Sequence, residues 1–121
     1  MLVLTNAVEG RDDEFNRWYD EVHVRDVLAK GPFLSAQRYR AADAQPAGPP
    51  EYRYAAIYEI EEGRVEEARD WLLWSRAERE EALAAGREPA IPLDLSVLAE
   101  QRVSFLWEPI GERAEAPGKA G

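Results

Sequence analysis

Four apolar stretches with strand character and two with helical character alternate along the 121 residues, in the order strand, helix, strand, strand, helix, strand. This order constrains the fold more than any compositional figure. Leu2 to Val8 is strand-like, with Leu2, Leu4, Asn6 and Val8 on one face and Val3, Thr5 and Ala7 on the other. Both faces are largely apolar, as in a strand with neighbours on either side. Asp12 or Asp13 is placed to cap a helix running to about Lys30, on which Phe15, Trp18, Tyr19, Val22 and Ala29 form one stripe. Gly31-Pro32 stops it. A second strand spans Phe33 to Ala42, followed by a Pro/Gly-rich turn expected to be mobile. Tyr52 to Ile60 alternates most clearly, with Tyr52, Tyr54, Ala56, Tyr58 and Ile60 on one face. A second helix covers Gly63 to Ala85, with Val65, Ala68, Leu72 and Ser75 inward, Trp71 at the edge of that stripe and Trp74 roughly opposite it. The last strand falls within Leu95 to Trp107.

This order predicts an α+β, ferredoxin-like βαββαβ domain over residues 1–110, with a four-stranded antiparallel sheet and two helices on one face. Residues 111–121 are expected to be a disordered tail. Two helices cover one face of such a sheet. The first, third and last strands are nevertheless apolar on both faces, so the second face needs a partner, and another copy of the same sheet is the simplest one. A homodimer is the expectation.

Composition removes several function classes. There is no cysteine, hence no disulfide, thiolate nucleophile or cysteine-bound metal. One histidine without His-x-x-x-His or an acidic loop pattern gives no metal site. The net charge of −9 opposes nucleic acid and anionic membranes as partners. No apolar run is long enough to span a bilayer, and no leader pattern opens the chain, so a cytoplasmic location is expected. No serine sits in Gly-x-Ser-x-Gly, and no Gly-rich phosphate loop occurs. The run Arg76-Ala77-Glu78-Arg79-Glu80-Glu81 reads as a solvated helix face.

The densest chemistry lies between Phe15 and Leu28. Helical spacing sets Tyr19, His23 and Asp26 on one side, with Asp26 near the middle of the apolar stripe. A carboxylate there must be paired, cap a backbone group or face a cavity. His23 and Asp26 either form a general acid/base pair, with Tyr19 donating to a developing enolate, or satisfy each other structurally. The aromatics Trp18, Tyr39, Tyr54, Tyr58, Trp71, Trp74 and Trp107 pack the core and a subunit contact, or line a pocket for a planar ligand.

Glu14-Phe15-Asn16-Arg17-Trp18-Tyr19-Asp20-Glu21-Val22-His23, then Asp26-Val27-Leu28, Gly31-Pro32-Phe33 and Ala36-Gln37-Arg38-Tyr39, resemble the dimeric α+β barrel superfamily, and within it the EthD-like proteins. The shared pattern is Phe-x-x-Trp/Tyr-Tyr/Trp-x-x-x-His on the first helix and a Pro-Gly-Phe-type turn. Here the turn is Gly31-Pro32-Phe33, and Val24-Arg25 replaces the proline often seen soon after the histidine. The likeness covers residues 1 to about 60 well and the rest by element order alone.

The resemblance implies paired sheets forming a shared barrel and a cavity between helices and sheet in each subunit, with His23 as its acid/base group. Haem-degrading members pair a second-helix histidine with an asparagine and a tryptophan. Asn6 and Trp71 would take the latter roles, but the second helix has no histidine, which speaks against haem. The expected activity is that of a cofactor-independent enzyme of the cyclase, dehydratase or decarboxylase type, acting on an apolar, carbonyl-bearing, polyketide-like small molecule. His23, Tyr19 and Asp26 would be catalytic, and Asn6, Trp18, Tyr58 and Trp71 would bind substrate. A non-catalytic ligand-binding or accessory protein of the same fold, or a cofactor-free monooxygenase, is the alternative.

Overall fold

The structure, a computed structural model, describes residues 1–118. Strand β1 (Leu2–Thr5) is followed by helix α1 (Asp12–Trp18), a π-helical turn (Tyr19–His23) and helix α2 (Val24–Lys30). Strands β2 (Ser35–Arg40) and β3 (Tyr54–Glu59), helix α3 (Val65–Ala84) and strand β4 (Val103–Phe105) complete the order. The sheet runs β2-β3-β1-β4, antiparallel throughout. This is the α+β, βαββαβ order that the alternation of stretches predicts, and β1 is central. Among the described residues no helix is long and apolar enough to cross a membrane.

Strand alternation decides which side chains meet the helices. Tyr54, Ala56 and Tyr58 of β3 are buried with Phe15, Tyr19, Val27 and Ala68 from the helices. Leu2, Gln37, Ile57 and Phe105 are aligned across the four strands on the opposite face, where Ile57 and Phe105 are exposed. The segment between α3 and β4 adds a wall that strand and helix patterns did not predict. Ile91, Val97 and Leu98 are buried, and Ala7 bridges Leu98. Val8 N–H donates to the Val97 carbonyl at 2.7 Å, and Ala99 N–H to the Asn6 carbonyl at 3.0 Å.

The helix preceding β2 departs from its predicted stripe. Phe15 and Tyr19 are buried and Trp18 half-buried, but Val22 and Ala29 are exposed. The cause is the π turn, in which Val24 N–H donates to the Tyr19 carbonyl, five residues back. One extra residue in the turn rotates everything after it by about 100°. His23 thereby takes the inward position that a regular helix gives Val22, and Val27 takes that of Asp26. The helix also begins differently. Arg11 is the cap residue and makes no side-chain capping bond, so Asp12 and Asp13 lie inside the first turn, where carboxylates favour the helix dipole.

Gly31 ends α2 for reasons of space. Its backbone is extended, at φ −99°, and a Cβ there would stand 2.8 Å from the Val27 carbonyl oxygen and 2.9 Å from the Phe33 ring. Gly86, by contrast, closes α3 in the left-handed region, at φ 71°. The turn between β2 and β3 is exposed and irregular, and Asn6 fastens its end. The Asn6 Oδ1 accepts from Arg53 N–H at 2.8 Å, and its Nδ2 donates to the Glu51 carbonyl at 3.0 Å. Residues 111–118 are exposed and carry no helix or strand, and the rest of the predicted tail, 119–121, lies outside the described residues.

Candidate functional site

A cavity of about 520 Å³ opens between the inner face of the sheet, the helices and the segment before β4. Val3, Thr5 and Tyr58 form its floor from β1 and β3. Tyr19, His23 and Val27 line it from the π turn and α2, and Trp71, Leu72, Ser75, Arg76 and Arg79 from α3. Ile91, Leu93, Leu98, Glu100 and Arg102 close the remaining side. Its volume is that of an ordinary small-molecule site.

His23 is held by its aromatic neighbours. Trp18 stacks on the imidazole, with centroids 4.9 Å apart and planes 24° apart, and Tyr19 meets it edge-on at 4.9 Å. Its Nδ1 is buried without a hydrogen-bond partner among the described residues. Burial first, then the positive charges of Arg79, Arg102 and Arg38, lower the imidazole from 6.5 to about 4. His23 is therefore neutral at physiological pH and keeps a lone pair.

This depression has a stability consequence with a definite sign. Between pH 6.5 and about 4 the unfolded chain binds a proton at His23 that the folded chain does not. His23 therefore costs nothing above pH 6.5, and the fold loses roughly 3 kcal/mol through it as the pH falls across that window. Urea unfolding of the wild type and of His23→Gln at pH 7 and at pH 5 isolates this contribution. The wild type is expected to lose more stability than the variant, and equal losses would count against a buried neutral imidazole.

Two phenols share the cavity. Tyr19 is buried beneath the Arg38 guanidinium, whose carbon lies 4.3 Å from its ring centroid. Arg38 is fixed in turn by Asp20 Oδ1 and Asn16 Oδ1, each accepting at 2.8 Å. The Tyr58 hydroxyl is buried and has no hydrogen-bond partner among the described residues. The Tyr19 hydroxyl is near enough to perturb it, without the alignment of a hydrogen bond. Burial raises both phenols, so each stays protonated and remains a donor. An orphaned buried hydroxyl costs about 1–3 kcal/mol of desolvation, which a ligand oxygen would recover.

Of the residues that sequence reasoning placed in the site, the fold brings His23, Tyr19, Tyr58 and Trp71 to one cavity. Trp18 lies behind His23 as its stacking partner. Asn6 is a clip for the turn between β2 and β3 and does not line the cavity. Asp26 neither lines the cavity nor bonds His23, because the π turn moves Val27 into the inward position. The expected His23–Asp26 pair is absent among the described residues.

Thr5, Ser75, Arg79 and Arg102 were not foreseen as site residues. A partial signal existed for three of them: Thr5 lies on the inward alternation of β1, Ser75 on the inward stripe of α3, and Arg79 one turn beyond Ser75. The solvated-face reading of 76–81 fails at Arg79 and Glu78, which are half-buried, and holds at Arg76, which is exposed at the cavity's edge. Glu78 accepts from Arg87 at 2.9 Å and from Ala90 N–H at 3.0 Å. Among the described residues no group of three or more His, Cys, Asp or Glu side chains could hold a metal ion. Comparison with family models, curated proteins and solved structures finds no match.

Proposed function

We propose that this chain is a cofactor-independent enzyme of the cyclase, dehydratase or decarboxylase type, acting on a small, largely apolar, polyketide-like molecule that carries carbonyl groups. The observation carrying this reading is the pair of buried, unpartnered groups at one cavity, the His23 Nδ1 and the Tyr58 hydroxyl. Buried polar groups are normally satisfied, and exceptions cluster where chemistry is done. Neutral His23 takes a proton from carbon beside a carbonyl. The C–H electron pair moves into the carbonyl, and the resulting enolate oxygen accepts hydrogen bonds from Tyr19 and Tyr58. The enolate carbon then attacks a second carbonyl of the same molecule, and the His23 proton passes to the new alkoxide. Loss of water follows where dehydration is the outcome.

The first proton transfer is testable on a neutral probe, the methyl ester of a medium-chain β-keto acid in D2O. Catalytic protein accelerates deuterium uptake at the carbon between the carbonyls, read by proton NMR against a protein-free control. Binding of the probe without acceleration would instead identify a ligand-binding or accessory protein.

The same reading includes a ferredoxin-like subunit that pairs through its open sheet face, as in a dimeric α+β barrel. Leu2, Ile57 and Phe105 lie side by side on that face, Leu2 half-buried and Ile57 and Phe105 exposed. A second copy supplies the matching apolar surface, with Glu59 of β3 on the same face, bonded to Ser35. Sedimentation equilibrium is expected to give twice the chain mass, and Ile57→Asp to give a monomer. A monomeric wild type would sink this assembly.

A further inference from the structure

We infer that the cavity takes a substrate bearing a carboxylate, held by Arg79 and Arg102 with Arg76 beside them, so that the carbonyl-bearing part lies toward His23 and Tyr58. This rests on the proton-transfer reading only for what happens at the far end, and the anion site can be tested without it.

Acidic residues outnumber basic ones in this chain, 24 to 15. Of the ten arginines outside the cavity, Arg11, Arg38, Arg64, Arg69, Arg87 and Arg113 each form an ion pair with a carboxylate, and Arg17, Arg25, Arg40 and Arg53, which form none among the described residues, are not gathered at that cavity. Arg76, Arg79 and Arg102 line the cavity, and none forms an ion pair among the described residues. They come from two separate elements, α3 and the segment before β4, yet meet at one cavity, where burial first, then the charges of Arg102 and Arg76, disfavour the charge on Arg79 against a smaller favourable effect of Glu78 and Glu80. Glu100 is the acidic residue on the lining, and Arg102 bonds its carbonyl, at 3.2 Å, leaving the carboxylate aside. Like charges gathered over a low-dielectric cavity are unfavourable until an anion joins them.

The hydrogen bonds already made show what size of anion fits. Arg79 gives its Nε to the Ile91 carbonyl at 3.2 Å and its Nη2 to Ser75 Oγ at 3.5 Å. These bonds fix the guanidinium plane and leave Nη1 to donate. Arg102 uses Nη1 on Glu100 and retains Nη2 and Nε. Two guanidiniums with a few free donors suit the two oxygens of a carboxylate. A phosphate brings more charge and more acceptor sites than these donors meet, and Glu100 repels a second negative charge. The remainder of the wall, Trp71, Leu72, Ile91, Leu93 and Leu98, suits an apolar chain behind the carboxylate.

Calorimetric titration with octanoate, octanamide and inorganic phosphate tests the site on the intact protein. Octanoate is expected to bind at least about tenfold tighter than octanamide, and phosphate more weakly than octanoate. Arg79→Gln is expected to weaken octanoate by about tenfold and Arg102→Gln by about threefold, since Arg102 is exposed. Neither should alter octanamide, which checks that the cavity is still formed. Arg17→Gln, an exposed arginine outside the cavity, removes the same net charge and should leave octanoate binding unchanged. Equal binding of octanoate and octanamide, tighter binding of phosphate, or an octanoate affinity indifferent to Arg79→Gln and Arg102→Gln would each overturn the carboxylate site. Deuterium uptake in the neutral keto ester needs no anion contact with these arginines, which reach His23 only through their charge. Octanoate selectivity without uptake fails the catalytic reading alone, and uptake without selectivity fails the anion site alone.

Discussion

His23→Ala lowers catalysed deuterium uptake in the β-keto ester by about 10²- to 10⁴-fold, with the fold retained. The retention of fold follows from what the imidazole touches. It stacks on Trp18 and meets Tyr19 edge-on but makes no hydrogen bond through Nδ1, so its loss orphans no partner. The pH profile adds a second readout. A base lowered to about 4 stays unprotonated through the neutral range, so the rate is level there and falls only as pH approaches 4. A rate that fell away near 6.5 would mean an imidazole exposed to solvent. Near-intact turnover in His23→Ala would assign proton transfer to another group. The Tyr58→Phe variant separates base from donor: it is expected to lower the rate through enolate stabilisation while leaving the lower pH limb where it was.

The largest effect on stability is expected from Phe15→Ala, at about 3–5 kcal/mol in urea unfolding. Phe15 is fully buried and lies 5.5 Å from the Tyr19 ring and 4.9 Å from the Tyr54 ring, centroid to centroid. It joins the one helical turn that carries the site to the strand beneath it. Collapse around the void is restricted, because Tyr54 is anchored through its hydroxyl, which donates to Asp12 at 2.6 Å and accepts from Asn16 at 3.3 Å. Arg38, 5.5 Å from the same ring, is tied by Asp20 and Asn16. A loss of that size is a large share of the 5–15 kcal/mol that typically holds a domain folded. A loss below about 1 kcal/mol would mean that the core refills the space, contrary to the anchoring described.

The π turn explains why the site was only half legible in the sequence. Periodicity gives the existence of a helix between Asp12 and Lys30, because Phe15, Trp18 and Tyr19 recur at helical spacing. It carries that spacing forward without interruption and so points Val22 and Asp26 inward. One inserted residue changes the frame, and no local residue type announces it, since Tyr19–His23 contains neither glycine nor proline. The insertion brings His23 to the inner face and Val27 to the buried position. Arg79 illustrates a different loss. A basic residue in a run of alternating charges reads as solvated, and only the placement of 91–102 over α3 makes it part of a wall.

The sequence by itself determined the order of strands and helices, the central place of β1, the buried alternation of Tyr54, Ala56 and Tyr58, and the concentration of chemistry around one histidine. Those features follow from short-range periodicity and from residue types that are rare in the chain. Tertiary structure alone decided that His23 does not pair with Asp26, that Asn6 clips a turn, and that Arg102 meets Arg76 and Arg79 of a distant helix at the same cavity. Each of these depends on a helix frame or on contacts between segments far apart in sequence. Local spacing carries no record of either, because the energies that fix them arise only when the elements pack.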